Sequence, residues 1–107
     1  MKEISVAELK DKLDSGEEIE LIDVRMPNEY EFARIEGAKL IPLPEILKRM
    51  EEIDSNKEIV VLCKVGGRSA RAIMALTQAG FEGDMANLVG GITAWSHEID
   101  PTVPVYH

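Results

Sequence analysis

The first segment of the chain carries apolar residues at the spacing of an α-helix. Val6, Leu9 and Leu13 lie three and four residues apart, with mostly charged residues between them. Ser5 precedes this run and Glu8 follows it by three residues, which is the spacing of a capping box. The pattern therefore predicts a helix that begins directly after Ser5 and presents one apolar face.

Four later segments are short and mainly apolar, and their flanks are polar or contain proline and glycine. Runs of this kind are typical of buried strands. The run at 59–62, Ile-Val-Val-Leu, is the most hydrophobic of the four, and we expect it to lie at the centre of a sheet. The predicted strands cover residues 19–24, 39–43, 59–62 and 85–88.

Helices are predicted between these strands and after the last of them. The predicted helices cover 27–33, a segment that begins at Pro44, 69–79 and 92–99. The last of them is expected to pack Trp95 into the core. Strands and helices thus alternate along the chain, which favours an α/β fold whose mainly parallel sheet carries helices on both faces.

The composition fits one globular domain. The chain has 107 residues, of which 45% are hydrophobic and 30% are charged, so a single domain over 1–107 is expected. The net charge of −8 argues against a nucleic-acid partner and against an anionic membrane surface, because both need clustered positive charge. A binding site for an anion therefore has to be built locally.

The redox and targeting signals point to the cytoplasm. Cys63 is the only cysteine, so no disulfide forms within the chain, as is usual in a reducing compartment. The first residues are charged and amphipathic, unlike an export signal, and no apolar run is long enough to span a membrane. An initiator-like Met1 favours a complete gene product.

Cys63 stands at the carboxyl end of the predicted central strand, where ligands bind in open α/β sheets. Gly66 and Gly67 follow it and allow successive backbone N–H groups to turn toward one point, which makes a cradle for an anion. The next helix directs the positive end of its dipole there, and Lys64 and Arg68 add full charges. These effects favour a thiolate, so we expect the pKa of Cys63 to lie below that of a free thiol.

Other interpretations of this loop explain fewer of its residues. A cysteine at a strand end is often a small buried apolar residue, which accounts for 59–63 but not for the glycines and cations that follow. The glycine and lysine pattern of a phosphate-binding P-loop is absent. Cys63, His97 and His107 lack the spacing of metal ligands, so we predict no metal and no cofactor.

Four segments resemble the rhodanese-like domain, a sulfurtransferase family, in the same order and spacing. They are LIDVRMPNEY at 21–30, IEGAKLIPL at 35–43, CKVGGRSARA at 63–72 and AGFEGDMANLVGGITAW at 79–95. The resemblance implies a central, mainly parallel five-stranded sheet with helices on both faces. It also implies that Cys63 accepts a sulfane sulfur as a persulfide and passes it to a thiophilic acceptor.

The length of the loop separates this family from its relatives. Four residues stand between Cys63 and Arg68, whereas the related dual-specificity phosphatases have one more and usually a histidine before the cysteine. The smaller ring suits a sulfur-centred anion better than a phosphoryl group. A phosphatase-type enzyme is therefore the less favoured alternative.

The residues expected to bind the anion form the loop itself. They are Lys64, Val65, Gly66, Gly67, Arg68 and Ser69. Arg68 is expected to orient the anion with its planar donors, and Ser69 to cap the following helix and to reach the sulfur. Asp23 and Arg25 end an earlier predicted strand, and we expect both to be mainly structural because a buried carboxylate needs partners.

The expected sulfur donor is a small anion such as thiosulfate, or the persulfide of another protein. The C-terminal segment GGITAWSHEIDPTVPVY resembles the end of rhodanese-like domains fused to adenylating enzymes, which implies a sulfur-carrier or adenylating-enzyme partner. Two alternatives without sulfur transfer stay open, a binding module and a redox sensor. The intact Cys63 loop argues against the first, and the absence of a second, resolving cysteine weakens the second.

Overall fold

The computed structural model describes all residues from Met1 to His107 and contains five strands in one sheet. The strands are β1 (Glu3–Ile4), β2 (Ile19–Asp23), β3 (Lys39–Leu40), β4 (Glu58–Leu62) and β5 (Asp84–Leu88). Their order across the sheet is β1-β5-β4-β2-β3, and every neighbouring pair is parallel. This arrangement confirms the predicted α/β fold and the central position of the strand that leads to Cys63.

Four α-helices connect and cover the strands. They are α1 (Val6–Asp14), α2 (Pro27–Phe32), α3 (Gly67–Gln78) and α4 (Gly91–Glu98). The capping box at the start of α1 is present, because the Glu8 N–H donates to Ser5 Oγ at 3.1 Å and the Ser5 N–H donates to Glu8 Oε1 at 3.2 Å. None of the helices has the length and apolar content needed to cross a lipid bilayer.

The side chains around β4 alternate between two separate cores. Val60 and Leu62 point into the core shared with α1 and α4, whereas Ile59, Val61 and Cys63 point into the core formed with α3. All five residues are at most 1% exposed. A strand that is buried on both faces gives rigid support to the residue that follows its carboxyl end, and that residue is Cys63.

The helix predicted from Pro44 is wrong. Two short 3₁₀ turns, Leu43–Glu45 and Met50–Glu52, occupy this region instead. Pro42 and Pro44 have no amide hydrogen, and the first turn closes through a bond between residues three apart, from the Glu45 N–H to the Pro42 carbonyl at 2.8 Å. Apolar spacing alone therefore does not distinguish a regular helix from these turns.

The lengths of the two outer strands also differ from the prediction. β1 was not predicted, because it is only two residues long and is defined by its pairing with β5 rather than by a local pattern. β3 ends at Leu40 rather than at residue 43, because Pro42 interrupts the run of donors that a longer strand needs.

Candidate active site

The loop after β4 wraps around the sulfur atom of Cys63. The backbone N–H of Gly66 donates to Cys63 Sγ at 3.0 Å, and the Ser69 hydroxyl oxygen lies 3.3 Å from the same atom. Gly66 has a φ of +122°, a conformation that favours glycine, and this turn directs its N–H back toward the sulfur. The loop therefore brings one backbone donor and one hydroxyl to the thiol.

Helix α3 begins earlier than the sequence predicted. Its N-cap is Gly66 and its first residue is Gly67, two residues before the predicted start at Ser69. Ser69 thus lies inside the first turn, and the prediction that it caps the helix is wrong. Its buried hydroxyl instead lies close to Cys63 Sγ, to the Gly66 carbonyl at 3.1 Å and to Asn87 Oδ1 of β5 at 2.6 Å.

Two opposing effects set the pKa of Cys63. The residue is 1% exposed, and burial raises the pKa of the thiol because it disfavours the charged form. The Ser69 hydroxyl and the nearby backbone N–H groups of Ser69, Gly66 and Val65, of which Gly66 alone has full hydrogen-bond geometry, favour the thiolate and outweigh burial. The pKa of Cys63 consequently lies below its ordinary value, so a larger fraction is ionised at neutral pH than in a free cysteine.

A cavity of about 400 Å³ opens above this loop. Its walls are formed by Cys63, Lys64, Val65, Gly67, Arg68 and Arg71. Arg71 was not among the residues predicted from the sequence, although it lies one helical turn beyond Arg68 on α3 and is exposed. Its spacing of three residues from Arg68 was the available sequence signal, because in a helix over 67–78 this spacing places both side chains on the same side.

Arg68 forms a bidentate ion pair with Glu29 of α2. Its Nη1 donates to Glu29 Oε1 at 2.6 Å, and its Nη2 donates to Glu29 Oε2 at 2.8 Å. These bonds lower the pKa of Glu29 to about 2, so the pair is ionised at neutral pH. The two terminal nitrogens that were expected to orient an anion are therefore engaged by a carboxylate in this structure.

Tyr106, near the C-terminus, connects this ion pair to Arg25, two residues after β2, and to the loop. Its hydroxyl donates to Glu29 Oε2 at 2.7 Å and accepts from Arg25 Nη1 at 3.0 Å. The Lys64 ammonium lies 5.0 Å from the centre of the Tyr106 ring, within the range of a cation–π interaction. Sequence reasoning missed Tyr106 because it is distant from Cys63 along the chain and belongs to no local motif.

Asp23 and Arg25 form an ion pair in which both side chains are 0% exposed. Arg25 Nη2 donates to Asp23 Oδ2 at 2.7 Å and to the Ala33 carbonyl at 2.6 Å. Because Tyr106 accepts another of its N–H groups, the buried guanidinium has partners that offset the cost of removing it from water. Neither side chain bonds to the Cys63 sulfur, and their supporting role stays a prediction.

Comparison with known protein families identifies the family that shares this fold and loop. Residues 5–98 match the family model described as the rhodanese-like domain. The chain belongs to this family. The match confirms the resemblance carried by the four sequence segments, and it includes the whole loop from Cys63 to Ser69.

Relatives of this rhodanese-like domain occur both alone and within longer proteins. YtwF of Bacillus subtilis, provisionally described as a sulfurtransferase, is 40% identical over 101 residues, which are 94% of this chain and 96% of YtwF. MoeZ of Mycobacterium tuberculosis, provisionally described as an adenylyltransferase/sulfurtransferase, is 41% identical over 105 residues. The match covers 96% of this chain but only 26% of MoeZ, so the domain spans about a quarter of that relative.

A solved structure supports the same assignment. The crystal structure of a rhodanese-like domain protein from Staphylococcus aureus aligns with a TM-score of 0.83 and 31% sequence identity. The alignment covers 100% of both chains. The five-stranded parallel sheet and its helices are therefore the rhodanese-like fold.

Proposed function

We propose that residues 1–107 form one rhodanese-like domain that transfers a sulfane sulfur through a persulfide on Cys63. The donor is thiosulfate or the persulfide of another protein, and the acceptor is a thiophilic nucleophile. The observation that carries the proposal is the Gly66 N–H at 3.0 Å from Cys63 Sγ, at the floor of a cavity lined by cations. A thiolate held in this way is a nucleophile with room above it for an anion.

In the first half-reaction, the Cys63 thiolate attacks the outer sulfur of thiosulfate. A bond forms between these two sulfur atoms, the bond to the sulfonate sulfur breaks, and sulfite leaves with that electron pair. The terminal sulfur of the persulfide then carries the negative charge, and inward-facing N–H groups of the loop stabilise it in the manner of an oxyanion hole. No proton is transferred, so this step requires no general base.

In the second half-reaction, the acceptor attacks the terminal sulfur of the persulfide. The sulfur–sulfur bond breaks, its electron pair returns to Cys63 Sγ, and the thiolate is restored. With cyanide as the acceptor, the product is thiocyanate. Because the enzyme alternates between a free and a sulfur-loaded form, the kinetics are ping-pong.

The cations of the cavity have different tasks in this scheme. Lys64 and Arg71 form none of the ion pairs in the structure, so their charges are available to the sulfonate end of a donor. Arg68 is paired with Glu29, and this pair holds the start of α3, which forms one wall of the cavity, in place beside α2. Val65, Gly66, Gly67 and Ser69 shape the loop around the sulfur, while Asp23 and Arg25 support the neighbouring α2 and C-terminal segment.

Intact-mass measurement after thiosulfate treatment tests the proposal. The wild-type protein is expected to gain one sulfur, which a dithiol reductant removes, whereas Cys63→Ser gains none. Thiosulfate:cyanide sulfurtransferase activity is measured on the same two proteins, and the serine variant is expected to be inactive. Equal rates in the two proteins sink the assignment, and a gain of one oxygen without sulfur, as in sulfenic acid, supports a redox sensor instead.

A protein partner is a second part of the proposal. The similarity to MoeZ, whose description includes adenylyltransferase, supports an adenylating enzyme or its sulfur carrier as the partner. We place the exchange in the cytoplasm, since the thiol of Cys63 is free and a reducing compartment keeps it so. A pull-down with sulfur-loaded protein as bait tests this, and capture of neither partner counts against it.

A further inference from the structure

The Ser69 hydroxyl has three acceptors within reach and only one hydrogen to donate. Asn87 Oδ1 lies at 2.6 Å, the Gly66 carbonyl at 3.1 Å, and Cys63 Sγ at 3.3 Å. A hydroxyl group donates a single hydrogen bond at a time, although it accepts others. The two acceptors that do not receive this proton therefore have no hydrogen bond from Ser69.

The amide group of Asn87 is held in one orientation. Its Nδ2 donates to the Gly66 carbonyl at 3.1 Å, so the oxygen of the amide faces Ser69. The opposite orientation would place two acceptor oxygens, Asn87 Oδ1 and the Gly66 carbonyl, against each other. Asn87 is 7% exposed, so water cannot readily replace Ser69 as the partner of Oδ1.

We propose that Asn87 is a positioning residue that competes with the Cys63 sulfur for the single hydroxyl proton of Ser69. The proposal rests on the proposed function in one respect, namely that Cys63 is the nucleophile. In the neutral thiol, the S–H group donates to Ser69 Oγ and Ser69 donates to Asn87 Oδ1. In the thiolate, Ser69 either turns its proton from Asn87 to the sulfur or keeps donating to Asn87, and in the second case the sulfur lacks this donor.

This competition penalises the empty thiolate and not the sulfur-loaded form. In a persulfide the negative charge lies on the terminal sulfur, so Cys63 Sγ no longer needs the Ser69 proton and Asn87 keeps it. The free thiolate alone bears the loss of a hydrogen bond to a buried amide oxygen. Asn87 therefore favours loading of the sulfur, and it keeps the thiolate more nucleophilic than a fully hydrogen-bonded one.

The charged groups around the sulfur come from three elements. Lys64 belongs to the loop, Arg68 and Arg71 to α3, and Glu29 to α2, where it is paired with Arg68. Tyr106 covers Lys64 from the C-terminal segment. Asn87 from β5 is uncharged, so its replacement by an uncharged residue changes the proton competition without changing the charge around Cys63.

A double-mutant cycle tests the proposal through the ionisation of Cys63. The thiolate absorbance is titrated in the wild type, Asn87→Ala, Ser69→Ala and the double variant, with Cys63→Ser subtracted to remove the tyrosine contribution. We expect Asn87→Ala to increase the thiolate fraction about tenfold at a pH below the midpoint, because Ser69 no longer donates to Asn87 and can donate to the sulfur. The Gly66 carbonyl, the other acceptor near Ser69, still accepts from the Ala70 N–H at 3.1 Å in this variant. In the Ser69→Ala background, the same replacement is expected to have no effect.

The other outcomes overturn the proposal. Asn87→Ala could leave the titration unchanged, shift it to higher pH, or shift it equally without Ser69, and each result means that Asn87 does not act through the hydroxyl. Asn87→Leu, which keeps the volume of the side chain, is titrated in the same way, and loss of the fold in both variants assigns Asn87 a purely structural role. The titration requires no sulfur transfer, so its failure is distinguishable from failure of the proposed function.

Discussion

Gly91, at the start of α4, presses against the backbone of the cysteine loop, and replacement by alanine should displace that loop. Gly91 has a φ of +56°, and a Cβ added there would lie 2.4 Å from the Cys63 carbonyl oxygen and 2.5 Å from that of Lys64. Both contacts are with backbone atoms, which cannot rotate away as the end of a side chain can. The change Gly91→Ala therefore forces the loop and the helix apart.

The structure gives the size of the effect. Carbon–oxygen contacts are ordinarily no closer than about 3.3 Å, so the two carbonyl groups must withdraw by about 1 Å. They accept from the Ile92 N–H at 3.0 Å and the Thr93 N–H at 3.1 Å, and a withdrawal of this size breaks both bonds. Their loss costs about 2 kcal/mol and the left-handed conformation about 1 kcal/mol, for a total of about 3 kcal/mol. A domain stable by about 5–15 kcal/mol stays folded.

Urea denaturation and thiosulfate:cyanide activity measure the two consequences. We expect Gly91→Ala to lower the free energy of unfolding by about 3 kcal/mol and the turnover rate by about 100-fold, because a displacement near 1 Å disturbs the reacting geometry. Gly16→Ala is the matched control, since Gly16 has a φ of +78° and no atom within 4 Å of an added Cβ. It bears only the conformational cost and should keep full activity.

Two results would refute this reasoning. Wild-type turnover in Gly91→Ala would mean that the loop tolerates the displacement or that Cys63 is not where the reaction occurs. An equal loss of activity in Gly16→Ala would mean that lowered stability, rather than the position of the loop, explains the effect.

Three further predictions concern the charged residues near the loop. Because the pKa of Glu29 is lowered to about 2, the stability that its pair with Arg68 contributes should be present above pH about 4.5 and be lost as the pH falls toward 2. Thermal unfolding of the wild type and of Glu29→Gln at a series of pH values checks this. A difference in stability between them that disappears near neutral pH contradicts it. Arg71→Gln should raise the KM for thiosulfate about tenfold with little change in kcat, and Arg71→Lys should restore part of it, whereas an unchanged KM removes Arg71 from donor binding. Arg25→Met should cost about 3–5 kcal/mol in urea denaturation by leaving Asp23 buried and unpaired, and a cost below about 1 kcal/mol would show that the pair adds little.

The loop could be predicted from the sequence because all of its components are contiguous. The thiol, the glycines and the cations from Cys63 to Arg68 follow one another directly, and the strand before them fixes their place in the sheet. The error concerned Ser69, a residue type that commonly caps helices. Gly66 takes the cap position instead, since its positive φ lets the helix begin two residues earlier.

The partners of the loop could not be predicted, because the tertiary fold brings them from distant segments. Glu29 comes from α2, Asn87 from β5 and Tyr106 from the C-terminal segment, and none of them belongs to a pattern that includes Cys63. The sequence does not specify which cation pairs with Glu29. Only the packing of α2 beside α3 decides this pairing.

The segment after Pro44 shows the limit of apolar spacing as a signal. Ile46 and Ile53 are both buried, as two residues on one side of a helix would be, yet the chain between them forms separate turns. Burial requires only that these side chains reach the core, and several backbone paths achieve that. The prolines at 42 and 44 exclude some of the bonds of the regular path.

The two outermost strands of the sheet, β1 and β3, are each two residues long. A strand from a foreign chain that approached either margin would find almost no row of free N–H and C=O groups on which to align. A domain with the proposed sulfur transfer must repeatedly meet other macromolecules in order to pass on its sulfur. Such abbreviated margins let it do so while resisting the strand addition that leads to aggregates.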